Sequence, residues 1–396
     1  MAPVKSLYFH IPFCVRRCNY CDFTTFSGMD KWIPAYIKAL EKEIILAVKD
    51  EPERTHIHTV FFGGGTPSIV PAYEYERILE VVRSSFILET DVEMSFEANP
   101  GTIQDRDMSE YKRIGFNRVS LGVQSFNVDE LDFLGRIHNT QDVYDAVKVV
   151  RKAGFDNMNI DLIYGVPGQT MSSWDESLKR ALDLGPEHLS LYCLTIEEGT
   201  PLVERVKNSE IVPLDEDEAA EMYELAMFIL DEAGYRHYEI SNWAKISTGG
   251  KDYRCRHNLQ YWKNEEYYGF GVGAHGYINN MRIVNFEEIP TFISSINQAE
   301  NAKTLYKETI VTNLKERMQD EMMLGLRLVD EGVSATGFKL KFGYELTAIF
   351  EKEISRLIRS KLIQWTDGNG TSIILTEKGT LLGNQVFMEF VGDQNT

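Results

Sequence analysis

The sequence predicts an α/β fold on a parallel sheet, and two observations carry that expectation. Short apolar runs alternate with helical stretches six times before about residue 200. A parallel sheet wound in one direction accommodates that order, either open or curled towards a barrel. Polar and glycine-rich segments fall at the carboxyl ends of the runs, where such sheets build their sites. The chain of 396 residues is also long for a single core, which suggests one large domain and a small one.

The elements follow in order. The run Val4 to Ile11 reads as a strand and leads into a loop holding Cys14, Cys18 and Cys21, three of the five cysteines. From Trp32 to Val48, Ile33, Ile37, Leu40 and Ile44 recur at helical spacing. His58 to Phe62 is a short apolar strand that ends in Gly63 to Ser68, with a helix through Tyr75 to Ser84. Strand Val92–Phe96 leads to Glu97, and a helix follows near Asp105–Ile114. Strand Arg118–Val123 leads to Gln124, and strand Asn157–Ile163, which contains Asp161, to Tyr164–Gln169. Helices at Gln141–Ala153 and Ser172–Leu184 follow those two, and strand His188–Leu194 closes the series. Cys193 sits inside that last apolar run and reads as core.

Beyond residue 205 the texture changes. The acidic turn Asp215–Glu218 suits a helix N-terminus, with the helix running from Ala219 to Glu232 and Gly234 as its stop. Strand-like runs at Tyr235–Ile240 and Tyr267–Val272 follow. From about Thr312 come short helices, then Leu362–Trp365 and Ser372–Leu375 around the turn Asp367 to Gly370. Helices followed by such a hairpin predict a winged-helix-like domain. Residues 331–396 carry seven Lys/Arg against eight Asp/Glu, so that wing lacks the basic face DNA binding requires. The domains expected are 1–205, 206–310 and 311–396.

Composition narrows the function. A net charge of −19 disfavours nucleic acid and anionic membrane surfaces. Clustered cysteines do not form a disulfide framework, and a thiolate–iron loop needs a reducing compartment. The start Met-Ala-Pro-Val-Lys lacks the apolar run of a signal peptide, and nowhere are there 18 consecutive apolar residues. The expectation is a cytoplasmic protein without an integral membrane segment.

The spacing C-x3-C-x2-C of Cys14, Cys18 and Cys21 supplies three thiolates, enough for three irons of a 4Fe–4S cluster with the fourth iron open. A zinc site completed by His10, or unliganded buried cysteines, also fit the spacing. In this position the motif resembles the radical S-adenosylmethionine (SAM) family. That resemblance implies a partial TIM-like (β/α)6 barrel, with SAM bound to the open iron and cleaved by an electron from the cluster.

Further motifs in fixed order sharpen the resemblance: Gly-Gly-Gly-Thr-Pro-Ser, Glu-Ala-Asn-Pro-Gly, Gly-Val-Gln-Ser-Phe, Leu-Gly-Arg-Ile-His and Asp-Leu-Ile-Tyr-Gly. They are similar to the oxygen-independent coproporphyrinogen III dehydrogenase (HemN) family and most closely to its HemW-type heme chaperones. The resemblance implies that Tyr8 and Tyr20 flank the cofactor, and that Gly64, Gly65 and Thr66 meet the methionine portion of SAM. Glu97 would accept from its polar groups, Gln124 and Asp161 would hold the ribose hydroxyls, and Arg136 would pair with its carboxylate. A tight turn is the bland reading of the triple glycine, and the absence of Gly-Lys-Ser/Thr argues against a P-loop.

His257 opens His-Asn-Leu-Gln-Tyr-Trp, similar to the His-Asn-x-x-Tyr-Trp motif of the chaperone group. By that resemblance it is the candidate heme ligand, with Tyr261 and Trp262 as apolar cover. A hydrogen-bonded structural histidine is the alternative, and His275 and Cys255 read as structural. Two departures separate the chain from the dehydrogenases. Phe23 stands where their motif continues with a fourth cysteine, and their long segment before the cysteine loop is not matched. The implied protein binds heme as cargo and passes it to an acceptor protein. It carries a 4Fe–4S cluster and SAM and is served by a partner that donates electrons to the cluster, without coproporphyrinogen dehydrogenase activity. The competing expectation is that dehydrogenase itself.

Overall fold

The computed structural model describes residues 5–247, 249–368 and 370–392. Val4 of the first expected strand, Asn369 of the expected turn, and the two chain ends lie outside the described residues. The first strand, β1, is Lys5–Ile11. Then α1 (Ile33–Ala47), β2 (His56–Gly64), α2 (Ala72–Ser85), β3 (Ile87–Ala98) and α3 (Asp105–Ile114) follow. After these come β4 (Arg118–Gln124), a short helix Val128–Leu134, α4 (Thr140–Lys152), β5 (Met158–Tyr164), α5 (Met171–Asp183) and β6 (His188–Cys193). All neighbours from β1 through β6 pair in parallel. The six-stranded parallel sheet expected from the alternating runs is therefore present.

Local chemistry sets the helix ends. Pro34 occupies the first turn of α1, whose buried Ile33, Tyr36, Ile37, Leu40 and Ile44 form one stripe against the sheet. Asn139 and Asp142 cap α4 reciprocally, and Thr170 and Ser173 do the same for α5.

Beyond β6, α6 (Glu216–Glu232) is capped by Asp215, which accepts from the Asp217 amide. Then come β7 (Tyr235–Glu239), β8 (Asn242–Lys245), α7 (Arg256–Trp262), β9 (Tyr267–Phe270), β10 (His275–Ile278), β11 (Met281–Val284) and β12 (Glu308–Val311). These strands extend the same sheet at both edges, in the order β12-β11-β10-β9-β1-β2-β3-β4-β5-β6-β8-β7. Strand β9 lies parallel to β1, with Phe9 opposite Phe270, while β8 runs antiparallel to β6. Phe9 stacks on Phe62 at 4.7 Å and on Phe270 at 5.3 Å, so three distant segments share one aromatic band. Leu230, Trp243 and Ile289 join the same core.

Past residue 313 a second core forms around Met322, Phe338, Ile354 and Phe387. It covers a small antiparallel sheet of Val333–Ser334, Ser372–Leu375 and Ile363–Trp365. The segment is thus an α+β unit with a hairpin. Among the described residues no helix is long and apolar enough to cross a membrane.

Candidate functional site

Successive strand residues face opposite sides, and here the two sides differ in chemistry. Val119, Leu121, Ile160 and Leu162 point outward into the core under the helices. Their neighbours Ser120, Asn159 and Asp161 point inward and line internal cavities. The barrel interior is therefore polar, and its strand ends open into a cavity of about 380 Å³. That cavity brings together Cys14, Cys18, Cys21, Tyr20, Gly64, Gly65, Thr66, Glu97, Gln124, Arg136 and Asp161. Residues from the cysteine loop and from four separate strand–helix units converge on one space.

The cysteine loop is held by backbone bonds, from the Asn19 amide to Leu134 (3.0 Å) and from the Leu202 amide to the Asn19 carbonyl (3.1 Å). Each thiol has a polar neighbour. The Thr66 hydroxyl donates to Cys14 Sγ at 3.6 Å, Arg136 Nη1 donates to Cys18 Sγ at 3.2 Å, and the Thr25 hydroxyl lies 3.8 Å from Cys21 Sγ. Burial pushes the Cys14 and Cys21 thiols above their ordinary range. A bound iron reverses that preference, because the thiolate then has a cation beside it. Among the described residues no three His, Cys, Asp or Glu side chains converge on a single metal ion. A cluster does not require it, since each thiolate takes a separate iron. Three thiolates with hydrogen-bond donors on sulfur fit a 4Fe–4S cluster with one iron left open.

The glycine-rich turn after β2 is stitched to the strand that feeds Cys14. Gly65 donates to the Ile11 carbonyl and Thr66 to that of Phe13, both at 2.8 Å. A Cβ on Gly65 would lie 2.6 Å from the Phe13 oxygen, so only glycine allows this approach. The Gly64 amide donates to Glu97 Oε2 at 2.9 Å. Burial, and then the charge of Asp161, push the Glu97 carboxyl up to about 7. Asp161 is also raised by burial, and it accepts from Asn159 at 2.7 Å and Ser120 at 3.0 Å.

Gln124 has φ +69°, a strained value for a residue with a side chain, and its buried Oε1 has no hydrogen-bond partner. Arg136 donates through Nη2 to the Gly122 carbonyl at 2.6 Å, while its buried Nε has no partner. These two atoms are incomplete in a way that a zwitterionic, hydroxyl-bearing ligand such as SAM would complete.

Tyr8 and His257 stand apart from this cavity. Tyr8 donates or accepts at His10 Nδ1 (2.9 Å) and lines two neighbouring cavities. His257, only 1% exposed, stacks on Phe61 with ring centres 5.0 Å apart. Its Nδ1 lies 2.8 Å from the Thr59 hydroxyl and its Nε2 2.8 Å from the Tyr261 hydroxyl. Because Thr59 gives its proton to Ser6, it accepts from Nδ1–H, which leaves the Nε2 lone pair engaged by Tyr261. Burial pushes the imidazole down to about 3, so it stays neutral. In this geometry His257 has no free nitrogen for iron.

Cys193 corrects an expectation. It ends β6 exposed on the cavity wall, not in the core, because the last residue of a strand points past the packed layer. Tyr192 and Gly122 also line the site and were invisible as candidates. The alternation of Ser120 and Gly122 with apolar neighbours is the signal that marks the inward face. Cys255 is buried, with Sγ 3.7 Å from Glu93, as a structural thiol should be.

Residues 8–181 match the model of the radical SAM superfamily, and residues 313–382 match the HemN C-terminal domain. The heme chaperone HemW of Bacillus subtilis is 36% identical over 98% of this chain and 100% of its own length. That of Lactococcus lactis is 38% identical over 98% of each chain. Among solved structures, the Escherichia coli coproporphyrinogen III oxidase HemN, a radical SAM enzyme, superposes with a TM-score of 0.82. It is 22% identical over 98% of this chain and 90% of that one, a likeness of fold.

Proposed function

The chain belongs to the HemW family of heme chaperones within the radical SAM superfamily, and from that premise we propose that it binds heme and hands it to an acceptor protein. The observation that carries this reading is the end-to-end match to bacterial heme chaperones, from the cysteine loop through the C-terminal unit. A 4Fe–4S cluster and SAM are its cofactors. When bound, the cluster supplies an electron to the SAM sulfonium.

In this reading Cys14, Cys18 and Cys21 each take one iron. Gly64, Gly65 and Thr66 receive the methionine end of SAM, and Asp161 and Gln124 accept from its ribose. Arg136 serves two neighbours: its Nη1 stabilises the Cys18 thiolate, and its free Nε suits the SAM carboxylate. Glu97 is held in place by the Gly64 amide and faces the polar groups of the ligand. Tyr20 closes one side, and Tyr8 supports the adjoining wall. We read residues 1–205 as the radical SAM core barrel, 206–310 as an accessory region that extends its sheet, and 311–396 as a winged-helix-like domain. A reductant that feeds the cluster and a cytoplasmic location follow from the thiolate chemistry.

Dehydrogenation of coproporphyrinogen is not favoured, because Phe23 stands where those enzymes carry a further cysteine and the likeness to the solved HemN structure, at 22% identity, is one of fold alone. The deciding experiment incubates anaerobically reconstituted protein with coproporphyrinogen III, SAM and reductant, alongside a heme titration. Heme bound with no protoporphyrinogen formed is the expected result. Turnover without heme binding would overturn the chaperone reading.

A further inference from the structure

The heme reading leaves open which residue meets the iron, and the two histidine candidates differ sharply in geometry. A ligand nitrogen needs a lone pair that nothing else holds, and a route for a flat macrocycle to reach it. His257 has neither. Its Nε2 is taken by Tyr261, its ring packs against both Phe61 and Tyr8, and it is 1% exposed. Iron binding there would strip Tyr261 of its partner inside the core.

His275, the first residue of β10, is exposed, and among the described residues its ring makes no hydrogen bond in the structure. It lines a cleft of about 340 Å³ that opens to solvent beside the cysteine loop and shares Asp22 and Phe23 with the cavity assigned to SAM. The far wall of that cleft is Asp22, Phe23 and Thr24, the residues that follow Cys21 directly. Phe23 is 61% exposed, an aromatic face that water covers poorly. Tyr261 and Tyr267, packed edge to face with centres 4.6 Å apart, also line it.

The two walls are locked together. Gly273 approaches Thr24 so closely that a Cβ there would sit 2.6 Å from its Oγ1, and His10 Nε2 lies 2.8 Å from the Thr24 carbonyl. The cleft therefore combines an imidazole with no hydrogen-bond partner among the described residues, exposed aromatic surface and an open mouth. An open mouth suits a cargo, because a second protein must reach the porphyrin to remove it.

Resting on the heme reading above, the geometry points to His275, not His257, as the side chain that ligates heme iron, with the porphyrin covering Phe23. The test is a heme titration followed at the Soret band, on cluster-loaded protein, for wild type, His275→Ala, His275→Cys and His257→Ala. His275→Ala should weaken binding by at least about tenfold, the scale already seen when a metal ligand's supporting groups are lost, and free imidazole should restore the wild-type spectrum. His275→Cys should bind heme with a thiolate-type Soret band, a change that only a direct ligand produces. His257→Ala should keep the wild-type spectrum. Unchanged affinity and spectrum in both His275 variants would overturn this ligand while leaving heme binding intact. A wild-type protein that takes up no heme would overturn the heme reading and the ligand together.

Discussion

The strand-end cavity and the nest around His257 lie on either side of the same two carboxylates, Glu97 and Asp161, yet they are finished to different degrees. In the nest, Ser6, Thr59, His257 and Tyr261 form a chain in which every ring nitrogen and hydroxyl named has a partner. In the cavity, Gln124 Oε1 and Arg136 Nε are buried without one, and Gln124 holds a strained backbone. A completed network stabilises the fold, whereas an incomplete one is arranged for something that arrives later. Variants in the first region should therefore lose stability and keep ligands. Variants in the second should do the reverse.

The largest expected effect is at the cysteines. Replacing Cys14, Cys18 and Cys21 together with Ser should abolish iron and sulfide after anaerobic reconstitution, while circular dichroism shows a folded chain. Full iron and sulfide, or stoichiometric zinc in the wild type, would break the assignment. Next comes His257→Ala, which takes the Tyr261 hydroxyl's partner away, removes one of the two bonds of Thr59, and leaves a cavity. It should cost about 3 kcal/mol in a denaturant titration.

On the other side of the carboxylates, Gln124→Ala and Asp161→Ala should each weaken SAM binding by about 1–3 kcal/mol, with cluster content unchanged by iron analysis. The smallest effect concerns pH. Glu97 titrates near 7 in the folded chain against 4.5 ordinarily, so folding favours its protonated form. The stability it contributes is fully present below 4.5 and drains away as pH rises through 7. Glu97→Gln should flatten that part of the stability–pH profile in SAM-free protein. Glu43 and Glu239, raised by burial to about 8 and about 7, should keep the rest of the slope.

Much of this contrast is legible in the sequence. Six alternations of apolar run and helix are enough to order the sheet, and Glu97, Gln124 and Asp161 announce themselves by their places at or near strand ends. What lies beyond residue 205 is harder to read, for physical reasons. Strands β8, β10, β11 and β12 have four residues each, too short for a period to emerge. That β9 pairs with β1 depends on a contact between residues about 260 apart, such as Phe9 with Phe270, which no local pattern encodes. Cys193 reads as core because its neighbours are apolar, whereas its exposure is decided by where β6 stops. The role of His257 turns on Thr59 and Ser6, two residues from β2 and β1 that determine which of its nitrogens carries the proton.

The most direct test of the contrast is a SAM titration on cluster-loaded protein, comparing Gln124→Ala with His257→Ala in the same buffer. The predicted result is weaker SAM binding in Gln124→Ala and wild-type affinity in His257→Ala, even as the second variant unfolds at lower denaturant. Wild-type affinity in Gln124→Ala, with SAM binding lost in a still-folded His257→Ala, would contradict it.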